Sequence, residues 1–568
     1  MSVATRLVTL GALLAPPLRP APAPAQTSLP LKHAAAPTQT AITSADLMTR
    51  LYIYADDSMM GRAAGTEYNL KATAYIAAEV RRLGLVPAGD SGGYFQNVPL
   101  TRRAFDEQAG GRFVVDGVAL RPWEEYVPRD QGLTTRSLDG AQAVFAGAWG
   151  DSVMLAPEQA AGKLVVIALP RHPSPQVPAW FVPRPAATAR YRAAAGIALV
   201  SVDLMPPPLL QAFRNPQVTL KGAAPPASEP VPAYLYVTAA TARRLLGAPV
   251  DSARVGATGK TVQGSLAFAE TPAPARNVVA VLPGSDPALR GQYVAIGAHN
   301  DHIGFEHNPV DHDSIRAFND AVRRLELAAP PPDHQVRPEQ IAQIRINGDS
   351  VRRGGAARPD SIANGADDDG SGTVAVLEMA EAFAGARPKP KRSLIFVWHT
   401  GEELGLFGSQ YFTDHPTVPR DSIVAQLNMD MVGRGRADDE PGGGPGYLQL
   451  IGTRRLSTEL GDLIERVNTA RRQPLTFDYQ YDASGHPEQY YCRSDHYMYA
   501  RYGIPIAFFT TGNHRDYHQV TDEPQYIDYQ KLQTVAQFVY DVAVAVANLD
   551  HRVVVDKPKP DPQGNCVQ

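Results

Sequence analysis

The spacing of apolar residues divides the chain into regions of different structure. The runs "ADLMTRLYIYADD" and "YNLKATAYIAAEVRRLGL" carry apolar residues three and four positions apart, which predicts two amphipathic helices. Gly84 follows the second run, at a position typical of a helix C-cap. From 107 to 270, short β-branched runs such as "GKLVVIALP" alternate with proline-rich loops, which predicts a small β-rich domain.

From about 271 onward, strand-like and helix-like patterns alternate. The apolar runs "YVAIGAH", "RSLIFVWHT", "IVAQLNMDMVG" and "IPIAFFTTG" are separated by helical patterns such as "SGTVAVLEMAEAFAG". This alternation predicts an α/β fold with a mostly parallel central sheet flanked by helices. The polar stretch 306–362 interrupts the pattern and is predicted to form a surface excursion. The pattern assigns no role to the "DHDS" motif within this stretch.

The two ends of the chain differ from the rest. Residues 1–26 combine Arg6, a short apolar run and a small-residue cleavage zone, which predicts a secretory signal peptide and a secreted or periplasmic protein. The apolar run is too short to span a bilayer, and no other stretch looks transmembrane. Residues 27–45 are predicted to form a linker, and residues 551–568 a polar tail.

Composition and charge exclude several classes of protein. A chain of 568 residues is too long for one hydrophobic core, and its net charge of −4 offers no basic surface for nucleic acid. The two cysteines, Cys492 and Cys566, are too few for a disulfide scaffold or a cysteine zinc cluster. They form either one disulfide that ties the tail to the body or two free thiols. We expect free thiols.

Polar residues cluster at the ends of the predicted strands. They comprise three imidazoles and seven carboxylates: His299, Asp301, Asp367, Asp368, Asp369, Glu402, Glu403, Asp430, His514 and His518. Because ligands bind beyond the carboxyl ends of parallel strands, these groups should converge on one edge of the sheet. Nitrogen and oxygen ligands without thiolates favour Zn²⁺, with Mn²⁺ or Co²⁺ as alternatives. The number of carboxylates predicts two metals that share one of them, about 3.5–4 Å apart.

The order of these motifs carries a family resemblance. "GAHND", "NGADDDGSG", "HTGEELGLFGS", "QLNMDMVG", "YYCRSDHYMYARYGIP" and "DYHQVTD" together resemble the di-zinc aminopeptidase family, which includes glutamate-carboxypeptidase-like enzymes and aminopeptidases with a protease-associated domain. The resemblance implies a zinc-exopeptidase fold built from 46–106 and 271–550. It also implies that 107–270 is an inserted protease-associated domain without a metal site of its own.

The resemblance also implies individual roles. His299 and Asp430 would bind one zinc ion, Glu403 and His518 the other, and Asp368 would bridge the two. The same motifs imply a cis peptide after Asp368.

Three more residues receive catalytic roles on the same basis. Glu402 would be the general base, and Asp301 would hold His299 in its ligating tautomer. Tyr491 would hydrogen-bond the oxyanion, with the adjacent Tyr490 as the alternative. His302 is expected to have a loop or supporting role rather than to bind metal.

The function implied is that of an exported zinc-dependent aminopeptidase that hydrolyses N-terminal residues from peptides. Three alternatives use related sites: a glutamate-carboxypeptidase-like enzyme or dipeptidase, for which Arg493 could clamp a carboxylate; a glutaminyl cyclase; and a non-catalytic binding protein. The 69-residue interval from His299 to Asp368 is longer than in compact members of the family, so the excursion could shape the substrate pocket. The preferred N-terminal residue and the oligomeric state are left open by the sequence.

Overall fold

The computed structural model describes residues 29–130, 132, 135–169, 189–222, 231–330, 334, 336–352 and 356–568. The predicted signal peptide, 1–26, lies outside the described residues. Within the described ranges the α-helices are α1 Ser44–Tyr54, α2 Glu67–Arg82, α3 Pro157–Ala160, α4 Pro207–Arg214, α5 Ala239–Leu246, α6 His312–Ala328, α7 Pro338–Ile341, α8 Gly348–Val351, α9 Gly372–Gly385, α10 Phe407–Asp414, α11 Thr458–Thr469, α12 His496–Ala500 and α13 Tyr529–Ala547.

The strands lie in the central sheet, in the 107–270 region and in the excursion. They are β1 Val86–Pro87, β2 Phe95–Phe105, β3 Arg112–Val115, β4 Val118–Ala119, β5 Tyr126–Arg129, β6 Thr135–Ser137, β7 Gln142–Ala148, β8 Leu164–Ala168, β9 Gly196–Val200, β10 Gln217–Leu220, β11 Ala233–Val237, β12 Thr258–Leu282, β13 Tyr293–His299, β14 Phe305–Asp311, β15 Pro359–Ile362, β16 Ser393–His399, β17 Ile423–Met429, β18 Tyr447–Ile451, β19 Thr476–Asp478 and β20 Ile506–Thr510.

The predicted α/β fold class is confirmed. At the centre of the main sheet β16, β13, β17 and β20 lie side by side and parallel. Antiparallel strands flank this centre, with β12 beside β16 and β18 beside β20. The parallel strands are buried at every position except Tyr293, which explains why their sequences are mostly apolar.

Helices cover both faces of this sheet. Helices α1, α2, α9 and α13 contribute to the largest core cluster, in which apolar side chains of β13 and β16 are fully buried. Thr43 and Thr66 cap the first turns of α1 and α2 through their side chains. Gly84 has a φ of +73° just past the end of α2, as predicted for a residue that ends a helix.

The 107–270 region contains hydrophobic clusters of its own. Strands β7, β8, β9 and β11 form a parallel sheet, with β5 antiparallel at its edge. Two clusters of buried residues lie between Phe113 and Phe268, separate from the clusters of the central sheet. The long strand β12 pairs with β2 from Phe268 opposite Phe105 to Val278 opposite Phe95, so one ribbon connects this region to the central sheet. The assignment to a protease-associated domain stays a prediction.

The excursion is more ordered than its polar composition indicates. Strands β14 and β15 pair antiparallel, and the 17-residue helix α6 follows β14. Arg316 and Asn319 on this helix contact the carboxylate of Asp516, with Asn319 Nδ2 at 3.1 Å from Asp516 Oδ1. The excursion therefore packs against the loop that carries His518. Within the described residues, no helix combines the length and apolar character needed to cross a membrane.

The expectation of two free thiols is wrong. Cys492 and Cys566 form a disulfide across 74 residues of sequence. The predicted polar tail is anchored in other ways as well: Val553 is buried, and the side-chain amide of Gln568 accepts from Tyr491 N and donates to Tyr481 O, both at 3.0 Å. A tail that packs on the body brings its cysteine to a fixed partner, a proximity that sequence spacing does not encode.

Removal of this disulfide should destabilise the chain. A bond that closes a loop of this length restricts the unfolded chain, and its loss typically costs about 2–5 kcal/mol. We expect the double variant Cys492→Ser/Cys566→Ser to unfold at a lower urea concentration than the wild type. Its free energy of unfolding should be lower by an amount in that range. Thiol titration under denaturing, non-reducing conditions should find no free thiol in the wild type. Two titratable thiols would contradict the pairing.

Candidate metal centre

The carboxyl ends of the four parallel strands bring the predicted residues together. His299 is the last residue of β13, and Asp430 directly follows β17. Glu402 and Glu403 follow β16, and His518 lies in the loop after β20. Asp368 lies in the turn before α9. The predicted convergence on one sheet edge is what the structure shows.

One group of potential metal ligands consists of His299, Asp368 and Asp430, hereafter the His299 group. His299 Nε2 lies 3.1 Å from Asp368 Oδ1 and 3.6 Å from Asp430 Oδ1. The other oxygen of Asp430 accepts a hydrogen bond from Ser494 Oγ at 2.7 Å. Ser494 thereby turns Oδ1 of Asp430 toward the imidazole.

A second group, hereafter the His518 group, consists of His302, Asp368, Glu403 and His518. His518 Nε2 lies 3.1 Å from Asp368 Oδ2 and 2.9 Å from Glu403 Oε2. Asp368 therefore belongs to both groups, with one carboxylate oxygen facing each imidazole. This is the geometry of a bridging carboxylate.

His302 lies closer to the centre than the sequence analysis expected. Its Nδ1 lies 2.7 Å from Glu403 Oε1, the oxygen that faces away from His518. That contact orients the Glu403 carboxylate, which agrees with a supporting role. The same nitrogen lies 3.7 Å from Asp368 Oδ2, and His302 belongs to the His518 group, so it is also in place to bind a metal.

Asp301 connects His299 to the loop of Glu402. The Nδ1 of His299 lies 3.1 Å from the carbonyl oxygen of Asp301 and 3.7 Å from its Oδ1. The amide of Glu402 donates to that Oδ1 at 3.2 Å. With a proton on Nδ1, the Nε2 of His299 is free to bind a metal.

The three consecutive aspartates have three different partners. The carboxylate of Asp369 accepts from the amides of His299, Gly372 and Met431. Asp367 accepts from Gly433 N at 2.6 Å and lies 3.2 Å from His514 Nε2. Only the middle carboxylate faces the metal groups, and His514 is occupied by Asp367 rather than by a ligand group.

Asp522 holds the turn that presents Asp368. Its carboxylate accepts from the amides of Asp367 and Asp368 at 3.0–3.1 Å. The Asp368–Asp369 peptide is cis, as the resemblance implied. Sequence reasoning missed Asp522 and Ser494, since a single polar residue in a loop has no period or spacing that distinguishes it.

The chemistry of the donor set fits divalent cations. Burial raises the pKa of the Glu402 carboxyl well above its usual value and raises that of Asp430 as well. Burial lowers the pKa of His518, but the neighbouring carboxylates of Asp368 and Glu403 outweigh this and raise it to about 10. His518 Nε2 and Asp368 Oδ2 are buried without a hydrogen-bond partner. Cations at the two groups would neutralise this concentration of buried negative charge.

A cavity opens directly onto the ligand groups. Its lining includes the carboxylates of Asp368, Glu402 and Asp430 together with an aromatic and polar wall of Met431, Tyr490, Arg493, Ser494, Phe508, Thr510, Asn513 and Tyr517. Glu402 Oε2 lies 4.0 Å from His299 Nε2, so the predicted base borders both the cavity and the His299 group.

The predicted oxyanion residue, Tyr491, is not brought to this cavity. Its ring packs 4.2 Å from the guanidinium of Arg455 and 5.8 Å from the ring of Tyr497, in an apolar cluster beside the sheet. Among the residues that the structure describes, Tyr490 and Tyr517 are the tyrosines lining the cavity. Tyr517 stacks on His518 with ring centroids 3.8 Å apart. Burial, and to a smaller extent the negative charge of Asp368, raise the pKa of the Tyr517 hydroxyl. Tyr490, the alternative to Tyr491 in the sequence analysis, is therefore the one of the two adjacent tyrosines that lies beside the site.

Part of the chain is similar in sequence to known peptidases. Residues 277–543 match the profile of Peptidase family M28. Leucine aminopeptidase 1 of Coccidioides posadasii is 32% identical over 199 residues, which are 32% of this chain and 48% of the relative. Leupeptin-inactivating enzyme 1 of Streptomyces exfoliatus is 32% identical over 173 residues, 29% of this chain and 33% of the relative. The chain thus spans about half or less of these curated relatives.

Solved structures give a weaker likeness. An aminopeptidase from Aneurinibacillus sp. strain AM-1 superposes with a TM-score of 0.49 at 16% identity, covering 91% of this chain and 97% of that one. The family assignment rests on the sequence match, which contains every predicted ligand. Residues 277–543 therefore match Peptidase family M28 in sequence, which agrees with the predicted family.

Proposed function

We propose that this protein is a zinc-dependent aminopeptidase that removes N-terminal residues from peptides. The observation that carries the proposal is the position of Asp368, which offers one oxygen to each of two ligand groups beside the carboxylate of Glu402. Two zinc ions fit these groups, because each combines imidazole and carboxylate donors at separations of 2.9–3.6 Å. When bound, the ions supply Lewis acidity that polarises the scissile carbonyl and acidifies a water molecule.

The residues of the chain supply the proton transfers and the positioning. Glu402 takes a proton from the attacking water and delivers it to the leaving amine. Its backbone amide is held by Asp301, which also faces His299, so the base and the ligand keep a fixed relation. Tyr517 lines the same cavity, and we propose that its hydroxyl donates a hydrogen bond to the developing oxyanion.

The cavity wall suggests the kind of residue that is removed. Met431, Tyr490 and Phe508 present apolar surface next to the carboxylates. An apolar side chain at the N-terminus of the substrate fits such a wall, and the curated relatives include enzymes named leucine aminopeptidase. We also propose that the protein is exported, on the basis of the signal-like segment 1–26.

A second function is favoured by Arg493. This residue lines the cavity, and its guanidinium lies 5.5 Å from the ring of Tyr490. A guanidinium beside the metal groups could bind a substrate carboxylate, as a glutamate-carboxypeptidase-like enzyme or dipeptidase requires.

A panel of three substrates tests the proposal: a leucyl aminoacyl reporter, a peptide with C-terminal glutamate and a peptide with N-terminal glutamine. We expect release of the N-terminal residue, with the leucyl reporter the best substrate. Hydrolysis confined to the C-terminal glutamate would establish the carboxypeptidase alternative. Cyclisation of the glutamine peptide would establish a glutaminyl cyclase, and zinc binding without turnover would indicate a binding protein.

A further inference from the structure

A third cluster of potential ligands lies outside the two metal groups. It consists of His312, Asp360 and Glu523, hereafter the His312 group. His312 is the first residue of α6 and Asp360 lies in β15, so both belong to the excursion. Glu523 lies in the loop after β20, five residues beyond His518. The group includes the histidine of the "DHDS" motif, to which the proposed catalytic site assigns no role.

The distances in the His312 group match those of the His299 group. His312 Nδ1 lies 3.0 Å from Asp360 Oδ2 and 3.6 Å from Glu523 Oε1, compared with 3.1 and 3.6 Å around His299 Nε2. Ligands about 2.0–2.1 Å from a tetrahedral zinc ion lie roughly 3.3 Å from one another. The three ligand atoms all lie within 4.8 Å of one another, which is close enough for one cation to contact all of them.

One nitrogen of His312 faces two carboxylates in this cluster, and Ile362 N donates to the other oxygen of Asp360. A single proton on Nδ1 of His312 faces two carboxylates and can satisfy only one of them. Arg358 pairs with Glu523 Oε2 at 3.2 Å, the oxygen farther from the imidazole, so it does not supply the missing donor. Two carboxylates at one imidazole nitrogen thus need an extra proton or a cation.

The other nitrogen of His312 has the partner that a ligating histidine uses. Nε2 lies 3.1 Å from the hydroxyl oxygen of Tyr526, and the two rings are stacked. A metal-bound imidazole donates its second N–H to an oxygen acceptor, which fixes the ring. His312 itself is completely buried, and the side chains of Asp360 and Glu523 are only 16% and 13% exposed. The nitrogen that would bind a cation is therefore held in place and shielded from solvent.

We propose that His312, Asp360 and Glu523 bind a third divalent cation, a zinc ion that fastens the excursion to the loop carrying His518. One imidazole and two carboxylates suit Zn²⁺ better than Ca²⁺ or Mg²⁺, which prefer six or more oxygen ligands. Asp522, next to Glu523, holds the amides of Asp367 and Asp368. A cation here would therefore stiffen the loop that supports the bridging carboxylate. This proposal does not depend on the catalytic activity of the protein.

Zinc content measured with matched variants tests the proposal. The chain is saturated with Zn²⁺, desalted and analysed for zinc by elemental analysis, and circular dichroism confirms the fold. We expect His312→Asn to hold one zinc ion fewer per chain than the wild type, because its amide can still donate to Asp360 but binds zinc poorly. Asp360→Asn should show the same loss of one.

The matched control is His551→Asn. His551 also contacts two carboxylates, but Glu459 lies at Nε2 and Asp550 at Nδ1, so no single point is shared. This variant should keep the full zinc content of the wild type. Equal zinc content in the wild type, His312→Asn and Asp360→Asn would overturn the proposal. It would indicate that the cluster holds a shared proton instead of a cation.

Zinc-edge anomalous diffraction from crystals of the wild type provides a readout that does not depend on how the variants fold. An anomalous peak within ligand distance of His312 Nδ1 is expected. The absence of such a peak, in a crystal whose other metal groups show zinc, would also overturn the proposal.

Discussion

Replacement of Glu402 by glutamine should remove most of the activity and leave the zinc content unchanged. Glutamine has nearly the same shape as glutamate, but its amide cannot accept the proton of the attacking water. Loss of a general base typically costs a factor of about 10²–10⁴ in rate. Glu402 belongs to neither ligand group among the described residues, so both groups should keep their metal. We expect kcat to fall far more than KM rises, because the base acts mainly in the transition state.

The neighbouring residue provides the contrast for this experiment. Glu403 lies 2.9 Å from His518 Nε2, so Glu403→Ala should weaken zinc binding at the His518 group. Steady-state kinetics on the leucyl reporter, with elemental analysis of each variant, separates the two effects. A Glu402→Gln enzyme that is fully active, or one that has lost zinc, would show that the base is wrongly assigned.

The second large effect is expected for Asp368. It is the one residue common to the His299 and His518 groups, and its two oxygens face different imidazoles at 3.1 Å. Asp368→Asn should therefore lower zinc affinity at both groups. Loss of a partner that only orients a ligand costs about 10–100-fold in metal affinity, and loss of a shared ligand should cost more. Activity should fall at least as far as in Glu402→Gln.

Single-group variants make this result interpretable. Asp430→Asn should affect the zinc of the His299 group, and Glu403→Ala that of the His518 group. Zinc affinity is measured by competition with a chromogenic chelator. If Asp368→Asn weakens zinc binding at one group only, Asp368 does not bridge the two.

The sequence predicted the parts of the site that depend on sheet topology. Each ligand follows a parallel strand or precedes a helix, and the carboxyl ends of parallel strands must meet at one edge. His299 at the end of β13 and Asp430 after β17 illustrate this, since both strands consist mostly of apolar residues. The mostly parallel centre of the sheet follows from the same alternation of strands and helices.

Other features depend on contacts that no local pattern encodes. Tyr490 and Tyr491 are adjacent and chemically identical, and only the path of a short turn decides which one faces the cavity. Asp522 and Ser494 act through hydrogen bonds to residues distant in sequence. The Cys492–Cys566 pairing requires the tail to pack beside the tyrosine loop, which polar composition does not indicate.

We propose that metal held by the His299 and His518 groups makes the chain an aminopeptidase. The most direct test is to strip the protein with a chelator and to measure hydrolysis of the leucyl reporter as zinc is added back. The account predicts that the metal-free chain is inactive and that activity returns fully once the His299 and His518 groups are filled. A metal-free chain that hydrolyses the reporter at the full rate would contradict it.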